Sequence, residues 1–351
     1  MSGAIHHIDD LVARGLVPAQ DAPALAELTQ RYALAITPAM AALIDPTDAA
    51  DPIARQFVPD LREAEAGPEE LADPIGDGAH SPVEGIVHRY ADRVLLKLLH
   101  VCPVYCRFCF RREMVGPGAE QILSADKLAT ALAYISAHPE IWEVILTGGD
   151  PLALAPRRLA KVMQAIGEIG HVRIVRIHTR VPAVDPARID SVMTEALKSS
   201  GKTVYVALHA NHPRELGDEA AAAVARLVEA GIPMVSQSVL LKGVNDDAAI
   251  LAALMRRFVE LRIKPYYLHH PDLAPGTSHM RVSLERGREL VAALRGSVSG
   301  LAQPAYVLDI PGGHGKVPVG RDHLEGDGVR DHAGRLHAYP DQAARKPDLQ
   351  R

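Results

Sequence analysis

All three cysteines of this 351-residue chain fall within one short stretch, Cys102-Pro103-Val104-Tyr105-Cys106-Arg107-Phe108-Cys109. Cysteines with scattered structural roles do not cluster so tightly. Spaced C-x3-C-x2-C, the three thiolates can ligate one metal centre. Zinc would need a fourth ligand to close its tetrahedron, and neighbouring His100 can supply one. A [4Fe–4S] cluster would take one thiolate on each of three irons and leave the fourth iron open.

Two glycine-rich stretches can also carry chemistry. Leu146-Thr147-Gly148-Gly149-Asp150-Pro151 closes an apolar run. Paired glycines let backbone approach a ligand closely, and their N–H and C=O groups can hold a zwitterion. Taken alone, such a turn after a strand is common. Pro311-Gly312-Gly313-His314-Gly315-Lys316 looks at first like a phosphate-binding loop. It fails that test, because Ile310 stands where the first Gly belongs and Val317 follows the lysine in place of Ser or Thr. A lysine on a flexible glycine approach instead suits an amine that must reach an aldehyde, as in covalent capture of pyridoxal phosphate (PLP). By itself this is weak, since surface lysines often follow glycine turns.

The elements that must position these residues have a regular beat. Apolar, β-branched runs fall at Val94–Leu99, Val144–Leu146, Val172–Ile177, Thr203–Leu208, Met234–Leu241 and Lys264–Leu268. Amphipathic stretches lie between most of them: Ala125–Ala137, Arg157–Ile169, Ala187–Lys198, Ala220–Ala230 and Asp247–Leu261. After the first, strands recur about every 30 residues, the length of one βα unit. This pattern predicts an α/β fold, a partial (β/α)6 TIM-like barrel with chemistry at the carboxyl ends of its strands. The cysteine loop follows the first strand directly.

Ser283–Leu294 reads as another helix and Tyr306–Ile310 as a further short strand. The expected division is a helical N-terminal extension over 1–85, the (β/α)6 core over 86–300 and a C-terminal lysine segment with a small β hairpin over 301–340. A disordered tail over 341–351 completes it. In the extension, Ile5–Leu16 and Ala22–Leu34 have helical spacing and Thr37-Pro38 marks a helix start. The hairpin is expected around Ala333-Gly334.

Composition narrows the class. With 48% hydrophobic and 23% charged residues the chain reads as ordinary globular. Its 43 acids against 38 bases argue against a broad nucleic-acid surface. No apolar run approaches the roughly 18 residues a membrane span needs. No secretory signal is apparent, and clustered cysteines exclude a disulfide framework. An oxygen-sensitive cluster needs a reducing compartment, so the cytoplasm is expected.

The C-x3-C-x2-C spacing with an aromatic before the last cysteine resembles the signature of radical S-adenosylmethionine (SAM) enzymes. The Gly-Gly-Asp turn one βα unit later resembles their SAM-binding turn. Together with the terminal glycine–lysine segment, this set resembles the lysine 2,3-aminomutase family. His88-Arg89-Tyr90-Ala91-Asp92-Arg93, His209-Ala210-Asn211-His212-Pro213 and Gln237-Ser238-Val239-Leu240-Leu241-Lys242-Gly243-Val244-Asn245-Asp246 match it too. The resemblance covers roughly residues 85 to 320.

It implies three cofactors and a site. Cys102, Cys106 and Cys109 would hold a [4Fe–4S] cluster. Gly148, Gly149, Asp150, His209 and Gln237 would line SAM. Arg89, Tyr90 and Arg93 would bind the PLP phosphate, and Lys316 would carry PLP covalently. Arg111 would grip the substrate carboxylate, while Asp272 and Asp309 would pair with the far ammonium of lysine. The implied activity is an isomerase that moves the α-amino group of L-lysine from C2 to C3. A 5′-deoxyadenosyl radical from SAM would take hydrogen from C3 of lysine held on PLP, and later return it. A reductant such as flavodoxin or ferredoxin is implied, as is a homo-oligomer. The zinc-site cysteines of the larger clostridial-type members are absent, and His314 interrupts the family's glycine run. The chain is short, like the branch that modifies a lysine on elongation factor P, so β-lysine formation for or on that factor is an alternative. That branch departs from the lysine-binding pattern around the second Asp, whereas Asp309 is kept here. A non-enzyme alternative is an iron–sulfur or zinc sensor module.

Overall fold

Strands β1 (Ile86–Tyr90), β2 (Arg93–Leu99), β3 (Glu143–Gly148), β4 (Ile174–Thr179) and β5 (Thr203–His209) lie side by side in chain order. They continue into β6 (Met234–Val239), β7 (Ile263–His269), β8 (Ala305–Ile310) and β9 (Gly315–Pro318) in a single sheet. The computed structural model describes residues 3–116 and 121–339. Strands β2 to β8 run parallel, and β1 and β9 add one antiparallel strand at each edge. Residues from all nine strands face one cavity, so the sheet wraps around it as an open barrel.

The expected α/β barrel is present, and it is longer than six strands. Tyr306–Ile310 pairs parallel with β7, through Tyr267 opposite Ala305, and becomes a seventh parallel member. Two strands escaped the periodicity. β1 is short and half polar, and β9 is interrupted in sequence by its glycines, so neither shows an apolar run.

Helices between the strands cover the outer face. Ala125–Ala137, Ser191–Lys198, Ala248–Glu260 and Leu284–Leu294 begin at side-chain caps from Ser124, Asp190, Asp247 and Ser283. Each cap satisfies at least one of the orphan N–H groups of a first turn. Asp247, for instance, accepts from Ile250 N at 3.0 Å. Their apolar stripes and the outward strand residues merge into one core that also takes in Ile5, Leu11 and Phe57 of the N-terminal extension.

The extension's helices are shorter than their spacing suggests: Ile8–Ala13 and Ala22–Arg31. The first stops because Gly15, at φ +70, forms a left-handed cap with Leu16 N–H bonded back to Leu11 O at 2.9 Å. Thr37 caps Pro38–Leu43 as expected. In the C-terminal segment Gly328–Arg330 and Leu336–Ala338 form the hairpin, and Leu324–Glu325 adds a third strand. The tail over 341–351 lies outside the described residues. No described helix is long and apolar enough to cross a membrane.

Candidate active site

Side chains alternate along a strand, so one parity of each faces inward. On β4 these are Arg176 and His178, on β5 Ala207 and His209, on β6 Gln237 and Val239, on β7 Tyr267 and His269. The cavity they enclose has a volume of about 360 Å³. It is capped by the cysteine loop at one end and by β8 and β9 along one wall. The residues that the family resemblance assigned to cofactors and substrate all line it: the three cysteines, the Gly148-Gly149-Asp150 turn, His209, Gln237, Arg89, Tyr90, Arg93, Arg111, Asp272, Asp309 and Lys316, whereas His100, the candidate fourth zinc ligand, does not. His314 is exposed and stands outside it.

At the cysteine end the three thiols are half-buried on one loop that lines the cavity, and they are not drawn together into a preformed metal-binding group among the described residues. Burial pushes all three pKa values up, Cys109 to about 11, and the Cys102 thiol is raised further by Asp150 and its fellow cysteines. Arg180 works the other way on Cys106, donating from Nη1 to Sγ at 2.9 Å. Thiols that burial holds protonated become thiolates when a cationic centre binds them. Three cysteines on one loop of the cavity and no fourth cysteine suit a cluster with one open iron.

The glycine turn has a structural task as well. Gly149 N–H donates to Leu99 O at 2.5 Å and Asp150 N–H to Val101 O at 2.9 Å, so the turn is stapled to the base of the cysteine loop. A Cβ on Gly149 would overlap the Val101 backbone. These N–H groups are therefore engaged within the chain. The Asp150 carboxylate accepts from Thr179 Oγ1 at 2.7 Å, Arg180 N at 2.7 Å and Leu152 N at 3.0 Å. Facing the turn, His209 Nε2 is buried with no hydrogen-bond partner among the described residues. Gln237 is register-paired with His209 and reaches His178 Nε2 at 3.3 Å. Burial keeps His178 and His209 well below the ordinary imidazole range. An orphaned polar atom beside the cysteines fits a polar ligand such as SAM, since native folds rarely leave one unsatisfied.

At the lysine end β8 and β9 set Asp309 directly opposite Lys316. Lys316 Nζ forms an ion pair with Asp309 Oδ2 and lies 3.2 Å from His269 Nδ1. Its backbone N–H donates to Tyr90 Oη at 2.8 Å, and the Arg93 guanidinium stacks 3.9 Å over the Tyr90 ring. Arg89 lies with Nη1 3.8 Å from Asp309, and its buried Nε has no partner among the described residues. A cationic corner around an amine fits PLP, whose phosphate takes forked guanidinium donors. Asp272 lines the same wall without an ion pair among the described residues. Burial, and then the Asp309 charge, pushes it up to about 7.

Sequence reasoning missed the contribution of the N-terminal extension. Asp77 accepts from Arg89 Nη2 at 3.1 Å and from Arg111 Nη2 at 2.9 Å, tying together two candidate binding arginines. Its loop is placed by Gly76, at φ +69, which packs against the Gly312–Gly313 backbone too closely to admit a Cβ. Glu63 is fully buried and pairs with Arg107 and Arg112 on either side of Cys109. Gln56 accepts from Arg180 Nη2 at 3.2 Å and donates to Glu215 at 3.0 Å. His178 and His269 carried a signal that was readable: imidazoles near the carboxyl ends of otherwise apolar strands.

Residues 96–254 match the Radical SAM superfamily. A parallel barrel with three cysteines after its first parallel strand is the architecture of that class. The chain is 39% identical over 295 residues to L-lysine 2,3-aminomutase of Clostridium subterminale, an alignment covering 84% of this chain and 70% of the relative. It is 36% identical to the enzyme of that name from Bacillus subtilis, covering 89% of this chain and 67% of the relative. Glutamate 2,3-aminomutase of Clostridioides difficile is 34% identical, covering 94% and 77%. The chain belongs to the lysine 2,3-aminomutase family. It is an isomerase of the radical SAM class, and its cofactors are a [4Fe–4S] cluster, SAM and PLP.

Proposed function

We propose that this chain moves the α-amino group of L-lysine from C2 to C3, giving β-lysine. The observation that carries the choice of substrate is Asp272, a carboxylate on the cavity wall with no cation paired to it among the described residues. Such a group is stabilised by an ammonium arriving beside it. An acidic side chain there would instead add a third negative charge next to Asp272 and Asp309. That separates lysine from glutamate, the substrate named for the Clostridioides difficile relative.

When bound, the cluster with SAM supplies a carbon-centred radical able to take hydrogen from an unactivated C–H bond, and PLP supplies a carrier for the migrating nitrogen. The chain's own residues position these parts. Cys102, Cys106 and Cys109 hold the cluster, and Arg180 offsets charge at Cys106. His209 and Gln237 contact SAM, with Gly148, Gly149 and Asp150 fixing the turn that faces it. Arg89, Tyr90 and Arg93 take the PLP phosphate and Lys316 its aldehyde. Arg111, braced by Asp77 and Thr147, holds the substrate carboxylate, while Asp272 and Asp309 hold the far ammonium. The surrounding barrel wall keeps water from the radical. The 86–300 unit carries the SAM chemistry and the 301–340 segment brings the lysine. A one-electron donor of the flavodoxin or ferredoxin kind serves a homo-oligomer in the cytoplasm.

Anaerobic incubation of the reconstituted protein with SAM, dithionite and either L-lysine or L-glutamate tests this reading. β-Lysine is expected by amino-acid analysis. Turnover of glutamate with none of lysine would overturn it. In Asp272→Asn, the kcat/KM ratio of lysine to an uncharged analogue of similar length should fall about tenfold to a hundredfold, from a charged hydrogen bond of about 1.5–3 kcal/mol.

A further inference from the structure

Lys316 is the amine that captures the PLP aldehyde in the proposed function, and it sits beside a second nitrogen that no role above uses. Its Nζ lies 3.2 Å from His269 Nδ1 while ion-paired to Asp309. His269 Nδ1 in turn lies 3.7 Å from Asp309 Oδ2. The three side chains come from β7, β8 and β9, adjacent strands whose inward residues are fixed by register. One carboxylate thus faces two nitrogens between which a proton can pass.

An ammonium cannot attack an aldehyde carbon, so a proton must leave Nζ before capture. We propose that His269 is the proton acceptor for Lys316, taking that proton onto Nδ1 and holding it against Asp309 while the amine is covalently engaged. The inference rests on Lys316 being the PLP lysine. The step balances without any oxidant or reductant. One proton passes from Nζ to Nδ1, leaving a neutral amine whose lone pair adds to the carbonyl carbon. The two remaining N–H protons leave with the carbonyl oxygen as water as the C=N bond forms. The net positive charge beside Asp309 is unchanged, so the transfer requires no charge separation in a half-buried site.

The surroundings suit the task. His269 also faces Asp272 from the loop after β7, His209 on β5 and His178 on β4, with Tyr267 edge-on at 5.7 Å from its own strand. Burial and the Lys316 charge hold the imidazole below its ordinary range, against the pull of Asp309. It is therefore the free base at neutral pH, ready to accept.

The experiment follows PLP capture by the cluster-loaded protein in stopped flow, as the rise of the bound-PLP absorbance, across pH 5 to 10. Borohydride reduction and peptide mapping then locate the label. Wild type should show a rate that rises through the acidic side of the imidazole range and is flat above neutrality. His269→Gln should capture PLP on Lys316 to the same final extent but about a hundredfold more slowly, with added imidazole restoring part of the rate. Equal rates and profiles in the two proteins would overturn the proposal. So would a wild-type rate that keeps climbing to the lysine range near pH 10, a result that needs no folded variant. Label on a lysine other than Lys316 would instead overturn the assignment of Lys316, and with it the ground for a base at His269.

Discussion

The two ends of the barrel cavity differ in how their charge is balanced. At the lysine end most ionisable groups answer one another: Lys316 with Asp309, Arg89 and Arg111 with Asp77. At the cysteine end three acids share a buried loop with one cation, Arg180, in hydrogen-bonding contact. The lysine end keeps one acid, Asp272, without an ion pair among the described residues, so an arriving ammonium is answered there. At the cysteine end burial keeps the thiols protonated and uncharged, and a cationic centre turns them into charged ligands. One end suits a cofactor and substrate that come and go. The other suits a centre that stays.

The largest effect should come from breaking the cysteine end. Cys109→Ser should lower iron from about four per chain to below one after anaerobic reconstitution, and turnover should fall below detection. Iron and sulfide analysis with electron paramagnetic resonance reads this directly. PLP capture at the lysine end should survive, because Lys316 is held by Tyr90, Asp309 and His269 and not by the cysteine loop. Loss of both functions together would show that the ends are not independent.

Next in size is the brace beneath the cysteine loop. Arg107 and Arg112 flank Cys109 and share Glu63, which is fully buried. Burial alone would raise the Glu63 carboxyl, but Arg107 and then Arg112 outweigh it and hold it below the usual range. Glu63→Ala would leave two buried guanidinium groups uncompensated, a cost of about 3–5 kcal/mol. Chemical denaturation should show that loss as a lower midpoint with an unchanged slope. No comparable loss is expected from an exposed pair such as Arg286–Glu289.

This brace also shows where the sequence could be read and where it could not. The cysteines were legible because their ligand geometry is local: one loop, fixed spacing, one centre. The parallel strands were legible because apolar runs repeat at the length of a βα unit. Glu63, Asp77 and Gln56 were not, since each acts on a residue far along the chain. Glu63 meets Arg107 and Asp77 meets Arg111 only after the extension folds across the barrel. A buried carboxylate looks the same in sequence as a helix cap, and only tertiary contact tells them apart. Asp309 shows a subtler shortfall. Its match to a substrate-binding position was visible, but its pairing with Lys316 depends on β9 turning back antiparallel after a glycine run.

That pairing leads to a third expectation. Asp309→Asn removes the carboxylate shared by Lys316, His269 and Arg89, and with it one of the two acids proposed to face the substrate's far end. The kcat/KM for lysine should fall about tenfold to a hundredfold, while iron content and the cluster's spectroscopic response to SAM stay as in wild type. A change in the cluster signal would mean that the two ends communicate through the barrel, and the contrast drawn between them would have to be abandoned.

The smallest effect is a pH dependence set by Asp272, and it separates the two carboxylates of the lysine end. Asp309 is held low by the nearby His269 imidazole and by Lys316 despite burial, so it stays ionised throughout the neutral range. Asp272, pushed up to about 7, does not. Only its ionised form attracts an ammonium. That form is about one-tenth of the population at pH 6 and about nine-tenths at pH 8, so kcat/KM for lysine should rise nearly tenfold between them. Burial holds His178 and His209 well below the ordinary imidazole range, so they contribute little within this window. Asp272→Asn should flatten the rise. Stability should move in the opposite sense. Below the ordinary value of 3.8 the carboxyl is protonated in both folded and unfolded chains; between there and about 7 only the unfolded chain ionises. Raising pH across that interval therefore favours unfolding, and the penalty is constant above it. Measured by denaturation at pH 4 and pH 8, Asp272→Asn should gain on wild type at the higher pH. If the kinetic rise persists in the variant, another group sets it and Asp272 is not the carboxylate that reads the ammonium.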